Sequence, residues 1–320
     1  MNNTKTRIIL APLQGFTDVT FRNVYADHFS GIDEAMAPFI STMGQKRLKP
    51  SRIKDVDPEK NQKLFITPQL LGNMPEDFIF LADCLYDMGY KKINWNLGCP
   101  HSKIAKKKRG SGLLMYPDLI DDFLGRVLPK ISNTLSVKIR LGRKSKKEIE
   151  QLLPVLDHYP LDEIILHPRT GEQMYTGVSD HDAFAAAMEN SRHCFTYNGD
   201  ITSLAAFNTV STRFPGIHRF MIGRGILSNP FLAEQIKGII IKKNKLLRLK
   251  AFHDALFENY QAIFSGPGHL ISRMKGFWNY LGLCFSNSEK QIKNILKAKT
   301  AETYQDRVNE FFNTDPEFAG

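Results

Sequence analysis

The chain has 320 residues, 42% of them hydrophobic and 24% charged, proportions of ordinary globular proteins that exclude a fibrous or intrinsically disordered chain. Its length suits one large domain of ~250 residues with an appendage, or two of ~150. Lys and Arg number 43 against 33 Asp and Glu, a formal charge of +10, an excess that fits a polyanionic partner and fits equally an inert basic surface.

The opening stretch, MNNTKTRIILAPLQG, contains a six-residue apolar segment that stops at Gln14, too short for a signal-peptide core. No later run approaches the ~20 apolar residues of a membrane span, so a cytoplasmic protein without membrane attachment is expected. Short apolar runs then recur: RIILAP (7–12), EAMAPF (34–39), LFITPQLLG (64–72), KINWNLG (92–98), SVKIRLG (136–142), EIILHP (163–168), CFTYNGD (194–200) and RFMIGRG (219–225). They are nearly continuous rather than alternating, as strands buried on both faces of a parallel sheet are. Amphipathic helical segments lie between them, among them 75–89, 117–131 and 146–159, the first two opened by a proline. Eight β/α units over this length predict a (β/α)8 TIM barrel in preference to an open doubly wound sheet. Beyond Gly225 the strand pattern stops, and a C-terminal all-helical domain is predicted over 243–320 after a barrel over 1–242. SGPGHL (265–270) reads as a turn within it, and TDPEFAG as a frayed end. The four cysteines, Cys84, Cys99, Cys194 and Cys284, show no paired or metal-ligand spacing, which fits a reducing compartment and no zinc site.

In a parallel barrel the working face lies at the C-terminal ends of the strands. Reading each strand to that end gives Gln69; Asn94, Asn96 and Cys99; Lys138 and Arg140; His167 and Arg169; Asn198 and Asp200; and Arg224. YNGD and IGRG, at the last two exits, combine glycines with one cation where barrels commonly hold a phosphate. Lys138 and His167 would face a redox-active ring, the one as a cation and the other as a neutral hydrogen-bond donor. Flavin mononucleotide has both a phosphate and such a ring, though residue types alone leave a phosphosugar open.

The motifs APLQGFTD (11–18), PQLLG (68–72), NWNLGCPHSKIAKKKRGSGLL (94–114), VKIRLG (137–142), LHPRT (166–170), YNGDI (197–201) and MIGRG (221–225) together resemble the tRNA-dihydrouridine synthases, in that family's order. The resemblance implies a TIM barrel carrying FMN and a C-terminal helical domain that helps hold tRNA. It implies FMN contacts from Pro12, Leu13, Gln69, Lys138, His167, Asn198, Gly199, Asp200, Gly223 and Arg224, and makes Cys99 the catalytic acid. Asn96 would lie between flavin and uracil, with Arg169 on the substrate side. NADPH, or NADH, would re-reduce the FMN. SRMKGFWNYL (272–281), with Arg273 and Lys275, resembles a segment of the bacterial C-type branch, which acts on U16 of the D-loop. Leu13 stands where the family usually has Met, HPRT replaces HGRT, and GSGLL replaces GAxLL. Pro168 thereby loses an N–H through which a ligand could be held.

Reducing the C5=C6 bond of uracil takes a hydride at C6 and a proton at C5. A thiol with an ordinary pKa of about 8.5 is protonated near neutrality and can give that proton; Gly98 and Pro100 would fix its position. Asn94, Asn96 and Arg140 are candidates for contacts to the uridine, which must leave its stack to meet a flavin. Lys103, Lys106, Lys107, Lys108 and Arg109 would hold flanking phosphates. Because cations close to a thiol favour thiolate, they are expected to point to solvent. Two further basic sets, Arg143, Lys144, Lys146 and Lys147, then Lys242, Lys243, Lys245, Arg248 and Lys250, extend the possible RNA track. A monomer with no obligate protein partner is expected. The rivals are an FMN barrel acting on a free pyrimidine, as dihydroorotate dehydrogenases do, a catalytically silent tRNA-binding protein, and a phosphosugar isomerase or lyase.

Overall fold

A computed structural model describes residues 6–42, 44, 49–241 and 244–318. Its strands are β1 (Arg7–Leu10), β2 (Glu34–Met36), β3 (Ile40–Ser41), β4 (Phe65–Thr67), β5 (Gln69–Leu71), β6 (Lys92–Leu97), β7 (Thr134–Gly142), β8 (Ile164–Thr170), β9 (Phe195–Tyr197) and β10 (Arg219–Ile222). They form one ten-stranded parallel sheet in the order β3-β5-β6-β7-β8-β9-β10-β1-β2-β4. Every predicted apolar run contributes a strand. The run 64–72 is split into β4 and β5 by Pro68, which has no N–H to give the ladder, although its carbonyl accepts from Asn94 N at 2.9 Å. Since β4 pairs with β2 and β5 with β6, both margins of the sheet run into the single stretch 65–71. The sheet is therefore curled, in a TIM-barrel-like arrangement with helices outside it.

Alternation along the strands separates two apolar regions. Ile8, Leu10, Ala35, Ile93, Trp95 and Val137 face the helices in the large core, while Ile9, Ala11, Met36, Ile165 and Met221 form a small cluster inside the curl. Below that cluster the N-terminal end of the curl is closed by ions. Arg219 bridges Glu34 (2.9 Å) and Glu163 (3.0 Å), Lys92 reaches Glu163 at 3.0 Å, and Thr196 donates to Glu163 at 2.5 Å. Above it, the same inward positions are polar. Among the described residues the strand interior thus changes from salt bridges to apolar side chains to an open polar mouth.

The helices Pro75–Asp87, Pro117–Val127 and Glu148–Asp157 occupy the three predicted segments, two with proline in the first turn. Pro168 sits inside β8, where the register slips: Arg140 faces His167, yet Gly142 faces Thr170. An extra residue on β8 at that point forms a bulge, which accommodates a residue lacking a donor.

After Asn244 the described residues form helices Lys245–Ile263, Pro267–Leu281, Glu289–Leu296 and Ala301–Asn313. The turn predicted over 265–270 is shorter, because Pro267 already begins a helix after Gly266 at φ +99°. These helices share the large core with the strands. Phe21 of the helix Val19–His28, and Phe29 just after it, contact Phe252 at 5.9 and 5.0 Å, and Phe21 stacks on Phe277 at 5.5 Å. Through Phe318, the last described residue, the end is packed rather than frayed. Phe318 pairs with Phe285 in an antiparallel bridge and contacts Phe231 at 5.5 Å; residues 319–320 lie outside the described residues. Among the described residues no helix is long and apolar enough to cross a membrane.

Candidate active site

A cavity of about 330 Å³ opens at the C-terminal end of the strands. Its walls include Pro12 and Leu13 after β1, Asn96 and Cys99 from β6 and its exit, Lys138 and Arg140 of β7, His167 of β8, Asn198, Gly199 and Asp200 after β9, and Gly223 and Arg224 after β10. Inward alternation explains the set: Lys138 and Arg140, like Asn96 and Asn198, are two residues further along their strands than a buried interior partner.

Cys99 is 8% exposed. Its backbone N–H and that of Gly98 donate to Asn96 Oδ1 at 2.9 and 3.1 Å, and its carbonyl accepts from Ser111 N (3.0 Å) and Ser111 Oγ (2.9 Å). Gly98 was expected to help fix the thiol, but the close packing against Cys99 is at Gly110. A Cβ on Gly98 would meet nothing nearer than 3.4 Å, whereas one on Gly110 would lie 2.8 Å from Cys99 Cβ and O, at φ +54°. Burial pushes the Cys99 thiol up from its ordinary pKa; the His101 N–H, Arg140, Lys138 and Arg143 pull the other way and lose. The cations that bear on the thiol are therefore barrel residues rather than the lysine cluster, and burial outweighs them.

Lys138 is pushed down to about 7, by burial first and by Arg140 second. No hydrogen-bond acceptor for its ammonium occurs among the described residues, so it meets the cavity unpaired. His167 is held well below its ordinary value by burial and by the surrounding Arg140, Lys138, Arg169 and Arg224. Arg169 Nη1 lies 3.1 Å from His167 Nε2. A guanidinium can only donate, so Nε2 accepts and the ring proton resides on Nδ1. Arg224 pairs with Asp200 at 3.0 Å, and its guanidinium lies 4.4 Å from the Tyr175 ring centroid.

A family model described as "Dihydrouridine synthase (Dus)" matches residues 9–314. The chain belongs to the dihydrouridine synthase family. A relative named probable tRNA-dihydrouridine synthase, from Staphylococcus aureus, is 31% identical over 264 residues, 79% of this chain and 78% of that one. Another, tRNA-dihydrouridine synthase B of Pasteurella multocida, is 29% identical over 246 residues, 76% of this chain and 72% of its own. Among solved structures, the old yellow enzyme of Trypanosoma cruzi is similar in fold at TM-score 0.54 and 9% identity, covering 81% of this chain and 94% of its own. The name of one of these two relatives carries the letter B and that of the other no letter.

In this dihydrouridine synthase several predicted site residues lie off the cavity. Gln69 and Asn94 are fully buried beneath it in a chain of amides. Gln69 Nε2 donates to Asn94 Oδ1 (2.8 Å), Asn94 Nδ2 to Ser136 Oγ (2.9 Å), and Asn96 Nδ2 to Gln69 Oε1 (2.7 Å). Asn94 thus occupies a deeper layer than Asn96, and Asn96 spends its amide on Gln69 and the Cys99 loop. Arg169, expected on the substrate side, is 1% exposed and saturated: it bonds to Asp200, Ser179, His167 and the carbonyls of Thr176 and Gly177. Arg140 faces the cavity but donates to the carbonyls of Gly98, Thr170 and Met174 at 3.0, 2.8 and 2.7 Å. Burial lowers it to about 10, and it stays charged. The glycines of the last two exits answer to internal packing as much as to a ligand. A Cβ on Gly199 would meet Ser179 Oγ at 2.5 Å, and one on Gly225 would meet Ile201 O at 2.0 Å.

Lys103, Lys106, Lys107 and Lys108 are exposed as expected, whereas Arg109 turns inward, with Nε donating to Asn73 Oδ1 at 3.0 Å. Arg143 binds the Pro100 carbonyl at 2.8 Å and so supports the Cys99 loop; Lys144 and Lys147 are exposed, and Lys146 pairs with Asp180. In the third basic set, Arg248 pairs with buried Glu234 and Lys250 with Asp254, so neither is a free phosphate contact; Lys242 and Lys243 lie outside the described residues. Arg273 and Lys275, expected on RNA, are turned to protein: Arg273 to Asp18 (3.2 Å) and the Gly15 carbonyl, Lys275 to the Ala298 carbonyl. The aromatic walls Phe16, Phe39, Tyr175 and Tyr280 went unpredicted. The APLQGFTD motif around Phe16, the run EAMAPF that ends at Phe39 and the tail segment 272–281 that contains Tyr280 carried some signal for three of them; Tyr175 had none.

Proposed function

We propose that this dihydrouridine synthase reduces the C5=C6 bond of a tRNA uridine, with FMN in the 330 Å³ cavity, Cys99 as proton donor and NADPH, or NADH, as reductant. The observation that carries the reading is the meeting, in one cavity of a family member, of a buried thiol whose pKa is raised with a Lys138 that has no acceptor among the described residues. A buried cation without an acceptor is costly unless a ligand supplies one. An anionic or accepting ring edge does so, and Arg224 at the mouth suits a phosphate. The residues therefore fit a flavin mononucleotide, with Lys138 and His167 on its ring side and Arg224 with the Asn198–Asp200 and Gly223 turns on its phosphate side.

Bound flavin would supply the hydride for uracil C6. Cys99 holds the proton for C5 at Sγ, and Asn96, Ser111 and Gly110 fix where that sulfur stands. Asn198, whose Nδ2 donates to the Met221 carbonyl at 2.8 Å, ties the turn after β9 to β10. The exposed Lys103 and Lys106–Lys108, beside the Cys99 loop, suit the phosphates flanking a nucleotide drawn out of its stack. U16 of the D-loop, which only the resemblance of residues 272–281 points to, is the first position to examine. Residues 243–320 would act as an RNA-holding helical domain beside a closed barrel over 1–242, in a cytoplasmic monomer.

Cys99→Ala tests the acid role. It is expected to retain FMN and tRNA binding while turnover falls by roughly 10²–10⁴, read as dihydrouridine formed per enzyme. Unchanged turnover would remove Cys99 from the chemistry.

A further inference from the structure

The wall of the cavity formed by the β1 exit, residues 11–16, is not held by the sheet alone. On its inner side Thr17 Oγ1 accepts from Leu13 N at 2.8 Å and donates to the Ala11 carbonyl at 2.9 Å. On its outer side it is gripped by the C-terminal helices, which lie far away in sequence. Asp18 caps the helix Val19–His28 through Phe21 N (3.0 Å), and the same carboxylate accepts from Tyr260 Oη at 2.7 Å and from Arg273 Nη1 at 3.2 Å. Arg273 also donates to the carbonyl of Gly15, a residue at φ +82°. Phe16 is held edge-on between Phe277 (5.4 Å) and Tyr280 (5.2 Å), and Tyr280 itself lines the cavity.

Arg273 Nη1 is thus committed to Asp18 and the Gly15 carbonyl, and its guanidinium lies 5.2 Å from the Tyr260 ring and 5.5 Å from the Phe264 ring. A phosphate taken by Nη1 would have to displace Asp18 and the Gly15 carbonyl. We propose that Arg273 and Tyr260 are positioning residues for the cofactor: by clasping Asp18 and the Gly15 carbonyl they hold the 11–16 wall in the shape that accepts FMN, so the C-terminal helices serve flavin retention directly. The inference rests on FMN being the occupant of this cavity. Without the clasp the wall samples shapes that do not bind, and the apparent affinity falls in proportion to the competent fraction.

The test is titration of cofactor-free protein with FMN, followed by flavin fluorescence, alongside tRNA binding to FMN-saturated protein. Arg273→Ala is expected to raise the Kd for FMN roughly tenfold, the loss of one charge-assisted hydrogen-bond set, with tRNA affinity of the saturated protein within about twofold of wild type. Arg273→Lys should recover part of the affinity, and Tyr260→Phe, which keeps the ring packing, should raise the Kd by roughly threefold to tenfold. An FMN affinity unchanged in these variants, with tRNA affinity reduced, would overturn the clasp and return Arg273 to the RNA. If Arg273→Ala does not fold, Tyr260→Phe carries the same two outcomes. Wild-type protein that takes up no FMN would remove the cofactor reading, and the clasp with it.

Discussion

A thiol serves as an acid only while it keeps its proton, and burial gives Cys99 that property against three neighbouring cations. Its pKa is raised, so the proton is present through neutrality and is lost only as pH rises past a value above the ordinary thiol range. Turnover attributable to Cys99 is therefore expected to stay level from about pH 6.5 to about pH 8.5 and to fall at higher pH; a loss of rate beginning near neutrality, absent from a Cys99→Ser control, would contradict it. In the folded protein iodoacetamide is expected to modify exposed Cys194 before buried Cys99, read by peptide mass mapping. Lys138 carries the opposite penalty. Its folded pKa is depressed to about 7, so the unfolded chain binds more protons between that value and the ordinary value of about 10.4, and stability rises with pH across this window. Lys138→Met is thus expected to raise the Tm of cofactor-free protein more at about pH 6 than at about pH 9 while abolishing FMN binding. Equal Tm shifts at both pH values would show that Lys138 is not desolvated. Cys99, Lys138 and His167 were legible in the sequence because they stand at strand exits. Arg169 stands at such an exit too, but its saturation was hidden, because the carbonyls of Thr176 and Gly177 that bind it return from a loop whose path no local pattern reveals.

The segment 99–112 joins chemistry to binding. Gly110 adopts φ +54° against Cys99, and the exposed lysines lie on the short helix Ser102–Ala105 and the turn that follows it. Gly110→Ala is expected to displace the Cys99 loop, destabilising the protein by roughly 1–3 kcal/mol from backbone strain and overlap and lowering turnover more than tRNA affinity. Replacing Lys103, Lys106, Lys107 and Lys108 by Glu, with Arg109 left intact as an internal anchor, is expected to weaken tRNA binding. It should also flatten log K against log salt by roughly 0.7–0.9 for each phosphate no longer neutralised; an unaltered slope would place the RNA elsewhere. Among the elements, the apolar runs read out all the principal strands, since period and composition fix them locally. The break at Pro68, the added β3 and the bulge at Pro168 depend on which strand lies alongside, and the inward turn of Arg109 depends on Asn73, far away in sequence.

Across the whole molecule, the C-terminal helices are bound to the curled sheet by shared core rather than by a linker. Phe21, Phe29, Phe252 and Phe277 belong to one apolar cluster, and burying each such side chain contributes roughly 1.5–3 kcal/mol. Truncation after residue 242 is expected to yield aggregated or FMN-free protein; a soluble, cooperatively unfolding 1–242 fragment that binds FMN would establish an independent barrel. The change from strands to helices was visible in the sequence, but the depth of their packing was hidden, because aromatic residues on a tail helix read equally as its own core. The decisive experiment on flavin-dependent uridine reduction is anaerobic addition of unmodified tRNA to the photoreduced purified protein, followed by its visible spectrum. Flavin bands are expected to return only with tRNA, in step with dihydrouridine formed. Bound flavin that stays reduced with tRNA yet is oxidised by a free pyrimidine would contradict a tRNA substrate.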